Sequence, residues 1–232
     1  MNIYRVDPKL SYMCSNQTRS TGFTSLMYLV NNTHDHPEYH EQIKYILDNY
    51  PEELNKQNAD GWTALMLACR NSNTTSTLDT VKLLLDYNPD LYLLRIDGYN
   101  VIYVTLCNYD AEKTIDLLLD HGFSINHPMQ YNRTVLHNIN SYSCSSKILK
   151  KLIDRIDGNI TDVYGRTSLI YAIIYGITDI IEYFLTKDNL DLTIADKYNK
   201  TAYDYAIDNK LYKISEMIQN YDDSLGVKCA LD

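Results

Sequence analysis

The chain has 232 residues, 45% of them hydrophobic, and a net charge of −9 at neutral pH. Phosphate backbones and anionic membrane surfaces call for a basic footprint, so this balance excludes nucleic acid and membrane as general partners. The cysteines Cys14, Cys69, Cys107, Cys144 and Cys229 are odd in number, far apart and form no C-x-x-C pair, which excludes a disulfide framework and a zinc module.

One short pattern recurs along the chain: Gly22-Phe23-Thr24, Gly61-Trp62-Thr63, Gly98-Tyr99-Asn100, Asn132-Arg133-Thr134, Gly165-Arg166-Thr167 and Asn199-Lys200-Thr201. Its third residues are 24, 63, 100, 134, 167 and 201, giving steps of 39, 37, 34, 33 and 34. A fixed period in this range marks a repeat array with neighbour contacts only. A single domain over 1–232 is therefore expected, with repeats at approximately 16–54, 55–91, 92–125, 126–158, 159–192 and 193–221.

Each copy follows one grammar. Gly or Asn opens it, since these residues enter the left-handed region at little cost. Two positions later stands Thr in five of the six copies, with Asn100 in the third, and a Thr hydroxyl there can cap the first turn of a helix. In chain order, the apolar segments 43–47, 81–85, 115–119, 148–152, 180–185 and 214–218 have spacings of three and four and predict the second helix of each copy. The first two copies carry longer loops, 31–40 and 71–79, which account for their longer steps. Polar Lys210, Lys213, Ser215, Glu216 and Gln219 give the sixth copy the look of a cap.

The turn, the Thr and the two helices resemble the ankyrin repeat, with its T-P-L-H-x-A signature. Asn16, Asn55, Asn126 and Asn159, the acidic Asp162 and Asp196, and the Asp120-His121-Gly122 helix end match the same family. No copy keeps the signature Pro, and Thr134-Val135-Leu136-His137 alone keeps the His. Abundant Tyr (22) with few Gly (8) and Pro (5) suits an AT-rich genome. With the degenerate repeats it is similar to the ankyrin-repeat families of giant amoebal viruses of the mimivirus group.

The resemblance implies an all-α ankyrin-repeat solenoid of about six helix-turn-helix repeats with short β-hairpin connections. It implies a non-catalytic protein–protein interaction scaffold that binds a host protein in the host cytoplasm, as a monomer, with no cofactor or metal. Residues flanking the hairpin turn face partners in this family. The candidate partner-binding stripe is thus Phe23, Trp62, Tyr99, Tyr131, Arg133, Tyr164, Arg166, Tyr198 and Lys200, rich in the Trp, Tyr and Arg of binding hot spots. His137 is expected to make structural hydrogen bonds. No Gly-rich phosphate loop or nucleophile elbow is present, so no enzyme is expected. One alternative is a substrate adapter for a ubiquitin ligase. Another, of a different class, is a metal-binding protein or enzyme using the cluster His34, His36 and His40 with Asp35, Glu38 and Glu41. The first residues are too polar for a signal peptide, and no apolar run approaches the roughly 18 residues of a membrane span. The tail 228–232 is a poor prenylation box, because it ends in Asp.

Overall fold

The computed structural model describes residues 22–108, 111–141 and 145–224. Asn16, Thr21, Cys14, Cys144, Cys229 and the tail 228–232 lie outside them. By its contacts the chain divides into two compact units, Met1–Phe123 and Ser124–Asp232. Both are all-α repeats.

The first unit contains α1 (Ser25–Val30), α2 (Tyr39–Asn49), a 3-10 turn (Pro51–Glu53), α3 (Ala64–Arg70), α4 (Leu78–Asp86), α5 (Val101–Leu106) and α6 (Glu112–Asp120). The second contains 3-10 segments Gln130–Asn132 and Val135–Ser141, then α7 (Ser146–Ile153), α8 (Ser168–Ile174), α9 (Thr178–Phe184), α10 (Ala202–Asp208) and α11 (Tyr212–Ser224). Helices one repeat apart pack in two layers. In the first unit α1, α3 and α5 form one layer and α2, α4 and α6 the other. In the second, Val135–Ser141, α8 and α10 form one layer, and α7 packs on α9 in the other. The hairpins hold one isolated antiparallel bridge, Thr161–Thr167, and the described residues otherwise contain no strand.

The recurrent Thr does what its position predicts. Thr24, Thr63, Thr167 and Thr201 adopt extended backbone, and their hydroxyls accept the amides of Met27, Met66, Ile170 and Asp204. Asn100 caps α5 in the same way through Oδ1, which accepts the Tyr103 amide at 3.1 Å. Two residues on, the first five copies carry a buried apolar residue: Leu26, Leu65, Ile102, Leu136 and Leu169 are all at most 2% exposed.

The fourth copy departs from the expected helix. Thr134 turns its amide and hydroxyl onto His137 Nδ1, at 3.0 and 2.9 Å, instead of capping. Asn138 leaves the helical region at φ −107°, and the segment is 3-10. The turn also differs, because Tyr131 joins Asn132 at positive φ, 62° and 58°.

Gly61 shows why the turn position is restricted. At φ +81° an added Cβ would lie 2.6 Å from Arg95 Cα in the next copy. In the sixth copy, Asp204, Asp208, Ser215 and Gln219 replace Ile170, Ile174, Ile181 and Leu185 of the fifth. Ile170 and Ile181 are fully buried, so the sixth copy is more polar at positions that the fifth buries.

Candidate partner-binding site

The hairpins are closed from backbone. Asn58, Arg95, Met129, Asp162 and Asp196 each donate their amide to the carbonyl four residues on, at Trp62, Tyr99, Arg133, Arg166 and Lys200. Successive tips are then joined. Ile96 donates to the Asp60 carbonyl at 3.2 Å in the first unit, and Val163 and Lys197 donate to Tyr131 and Tyr164 at 2.9 Å in the second. Side-chain bonds repeat the linkage farther back: Asn55, Asn126 and Asn159 accept the amides of Asp90, Asp157 and Asp191 in the following copy. This places side chains of equal repeat position next to one another within each unit.

Arg133 and Arg166 reach into the seam between copies. Arg133 Nε lies 3.3 Å from Asp162 Oδ2, and its Nη2 donates to Tyr171 Oη at 2.7 Å; Tyr171 in turn donates to the same carboxylate at 2.8 Å. Arg166, Asp196 and Tyr205 repeat the triangle one copy on, at 3.1, 2.9 and 2.6 Å. Both carboxylate side chains are 0% exposed, while both arginines keep 24%. The other oxygen of each Asp accepts two turn amides: Tyr164 and Arg166 on Asp162, Tyr198 and Lys200 on Asp196. Burial works to raise the Asp196 carboxyl, but Tyr205, the turn amides and Arg166 outweigh it and hold it below its ordinary value. Lys200, at the same position in the sixth copy, bonds Asp208 instead.

The rest of the stripe divides by exposure. In the first unit Phe23, Trp62 and Tyr99 are half-buried. Tyr99 stacks on Tyr103 with centroids 3.6 Å apart, and Trp62 lies under the Arg95 guanidinium at 4.1 Å. In the second unit Tyr131, Tyr164 and Tyr198 are 53%, 39% and 70% exposed, with Val163 at 47% beside them. The Lys197 ammonium lies 4.7 Å from the Tyr164 ring. Position in the repeat does not by itself mark Asp162, Asp196, Tyr171 and Tyr205 as the groups that hold the arginines. Their signal was present, since Asp162 and Asp196, like Tyr171 and Tyr205, are one repeat apart.

The histidine cluster is taken up locally. His36 Nδ1 meets Glu38 at 3.0 Å and its ring stacks on Tyr39. His40 lies at 3.0 Å from both the Pro37 carbonyl and Thr80 Oγ1. Among the described residues, no group of three His, Cys, Asp or Glu side chains could hold a metal ion. His137 accepts the Thr134 amide at Nδ1, so its proton is on Nε2, which donates to the Arg166 carbonyl at 3.0 Å. Burial pushes its pKa below the ordinary value. Burial also pushes the Cys69 thiol up to about 12, which makes it inert at neutral pH. No helix among the described residues is long and apolar enough to cross a membrane.

The sequence profile described as ankyrin repeats, three copies, matches residues 7–93 and 136–228. An ankyrin repeat protein of Acanthamoeba polyphaga mimivirus is 38% identical over 88 residues, 35% of this chain and 14% of the relative. A second from the same virus is 28% identical over 173 residues, 66% of this chain and 30% of the relative. An NAD-dependent deacetylase of Dictyostelium discoideum is 23% identical over 185 residues, 73% of this chain and 22% of that protein. The chain thus spans less than a third of the length of each of these relatives.

Proposed function

This chain belongs to the ankyrin-repeat family, and on that footing we propose that it is a non-catalytic scaffold that binds a protein partner through its hairpin tips. Ankyrin repeats are in general protein–protein interaction modules. The observation that carries the choice of surface is the row Tyr131, Val163, Tyr164 and Tyr198, exposed on successive tips of the second unit. The tip backbones are joined by the Val163–Tyr131 and Lys197–Tyr164 bonds, so the row is held in register. Exposed aromatic side chains on a rigid frame offer large contact area at low entropy cost, and a contiguous apolar row marks an interaction surface.

The roles within the stripe are unequal on this reading. Tyr131, Tyr164 and Tyr198 are the contact residues. Arg133 and Arg166 chiefly hold the seams, because their guanidinium groups are already bonded to buried carboxylates. Similarity to mimivirus proteins supports a host protein as the partner and the host cytoplasm as the place of action. Affinity purification from infected amoebae tests the reading. Replacing Tyr131, Tyr164 and Tyr198 together by Ala should remove a co-purifying protein without altering the helical circular dichroism. Retention of that protein by a folded triple variant would refute the assignment of the surface.

A further inference from the structure

The seam between the second and third copies is built with the opposite chemistry to those of the second unit. Where Arg133 and Arg166 stand, the second copy has Trp62, and where Asp162 and Asp196 accept them, the third copy has Arg95. The buried carboxylate that neutralises each seam of the second unit is therefore missing here. The Arg95 guanidinium lies over the Trp62 ring at 4.1 Å, and that of Arg70, from the end of α3, lies 5.5 Å from the same ring. Cation–π contact of this kind holds a guanidinium in place without consuming its donors.

The two cations are incompletely satisfied. Arg95 Nη2 meets Asp97 at 3.0 Å, yet Arg95 Nε is buried without a hydrogen-bond partner. Arg70 is exposed and makes no ion pair among the described residues. Exposed Asp60, on the neighbouring tip, reaches neither of them as an ion pair. Both guanidinium groups also act on the half-buried Cys107 thiol, lowering a pKa that burial raises, which places them around one spot.

We propose that Trp62, Arg70 and Arg95 form a carboxylate-recognition site, whose ligand is an acidic side chain in a segment of the protein partner. The proposal rests on the scaffold reading above and names the chemistry of the partner at one place. The indole is a platform that aims two guanidinium groups, rather than an apolar anchor. The incoming carboxylate takes the role that Asp162 and Asp196 play at the later seams. Guanidinium suits it, because its planar donors meet a carboxylate along one edge. The protein as a whole is negatively charged, so attraction is local to this site and is screened by salt.

Trp62 is the only tryptophan, so intrinsic fluorescence reports on the site directly. The probe is a dye-labelled octaglutamate peptide, with octaglutamine as its uncharged counterpart, titrated into the full chain at low salt. Octaglutamate should bind, shift the Trp62 emission and dissociate on addition of salt, while octaglutamine should do neither. Arg70→Gln, at an exposed position, should weaken binding by about two- to fivefold, as loss of one exposed charge contact does. Arg70→Gln with Arg95→Gln should abolish it, and Lys82→Gln on α4 should leave it unchanged. The proposal is overturned if octaglutamate fails to bind, if Arg70→Gln binds as the parent does, or if Lys82→Gln weakens binding equally. Those outcomes leave the tyrosine row of the second unit untouched, so failure here is distinguishable from failure of the scaffold reading.

Discussion

Replacing Asp162 tests the account of how neighbouring copies are held. Its side chain is fully buried and serves two duties with its two oxygens. Oδ1 accepts the amides of Tyr164 at 2.8 Å and Arg166 at 3.1 Å, which shapes the turn. Oδ2 accepts Arg133 at 3.3 Å and Tyr171 at 2.8 Å, which ties two copies together. Asp162→Ala removes both duties and leaves a guanidinium and two amides without their acceptor. Breaking a buried pair from one side costs about 3–5 kcal/mol, and the quarter exposure of Arg133 puts the cost toward the lower end. Asp162→Asn keeps the oxygen for the turn amides. Asn58 already does this in the second copy, accepting Asp60 and Trp62 at 3.0 and 2.9 Å. The second oxygen becomes an NH2 donor, so Arg133 and Tyr171 lose their charged acceptor, at about 1.5–3 kcal/mol for a charge-assisted bond. Urea unfolding followed by circular dichroism should rank parent, Asp162→Asn, then Asp162→Ala. Because repeat arrays can open in parts, exchange of the Tyr164 and Arg166 amides should be measured alongside. These amides should lose protection in the Ala variant and largely keep it in the Asn variant. Equal damage from the two substitutions, or none from either, would refute the division of labour between the oxygens.

Other changes have equally direct readouts. Asn100→Thr should raise stability by about 1 kcal/mol in urea unfolding, since the buried Asn100 Nδ2 has no partner and a Thr hydroxyl can cap as Thr63 does. Gly61→Ala should lower stability by roughly 1–3 kcal/mol on the same assay, from strain at φ +81° and the approach to Arg95. Leu136→Ala, at a fully buried site, should cost about 2–5 kcal/mol, seen as a lower melting temperature of the second unit. His137 is held neutral below its ordinary pKa of 6.5, so the unfolded chain takes up the proton first. Its contribution is fully present above that value and is lost as pH falls toward the folded pKa, with a slope of at most about 1.4 kcal/mol per pH unit. The stability difference between the parent and His137→Gln should therefore shrink on acidification across that window.

The repeat period, the turn residues and the caps were legible because each is local. Thr24, Thr63, Thr167 and Thr201 cap as their spacing from the turn demands, and Leu26, Leu65, Leu136 and Leu169 are buried where the periodicity puts them. Legibility ended where a residue's role depends on the next copy. Arg133 and Arg166 read as surface cations from position alone, yet each finds a buried carboxylate in the following repeat. Trp62 reads as one member of the stripe from position alone, and the sequence does not show that its ring lies under Arg95, also from the following repeat. The fourth copy departs from the others for a local reason: the one His that matches the family signature takes the Thr134 hydroxyl, and the helix tightens to 3-10.

Site-specific photo-crosslinking tests the central claim, that the tyrosine row contacts a protein partner. A benzophenone amino acid would replace Tyr198, 70% exposed on a hairpin tip, or Tyr212, 65% exposed at the start of α11. Irradiation in infected cells should yield a discrete protein adduct from position 198 and none from position 212. Adducts from position 212 alone, the same adducts from both, or none from position 198 would contradict the account.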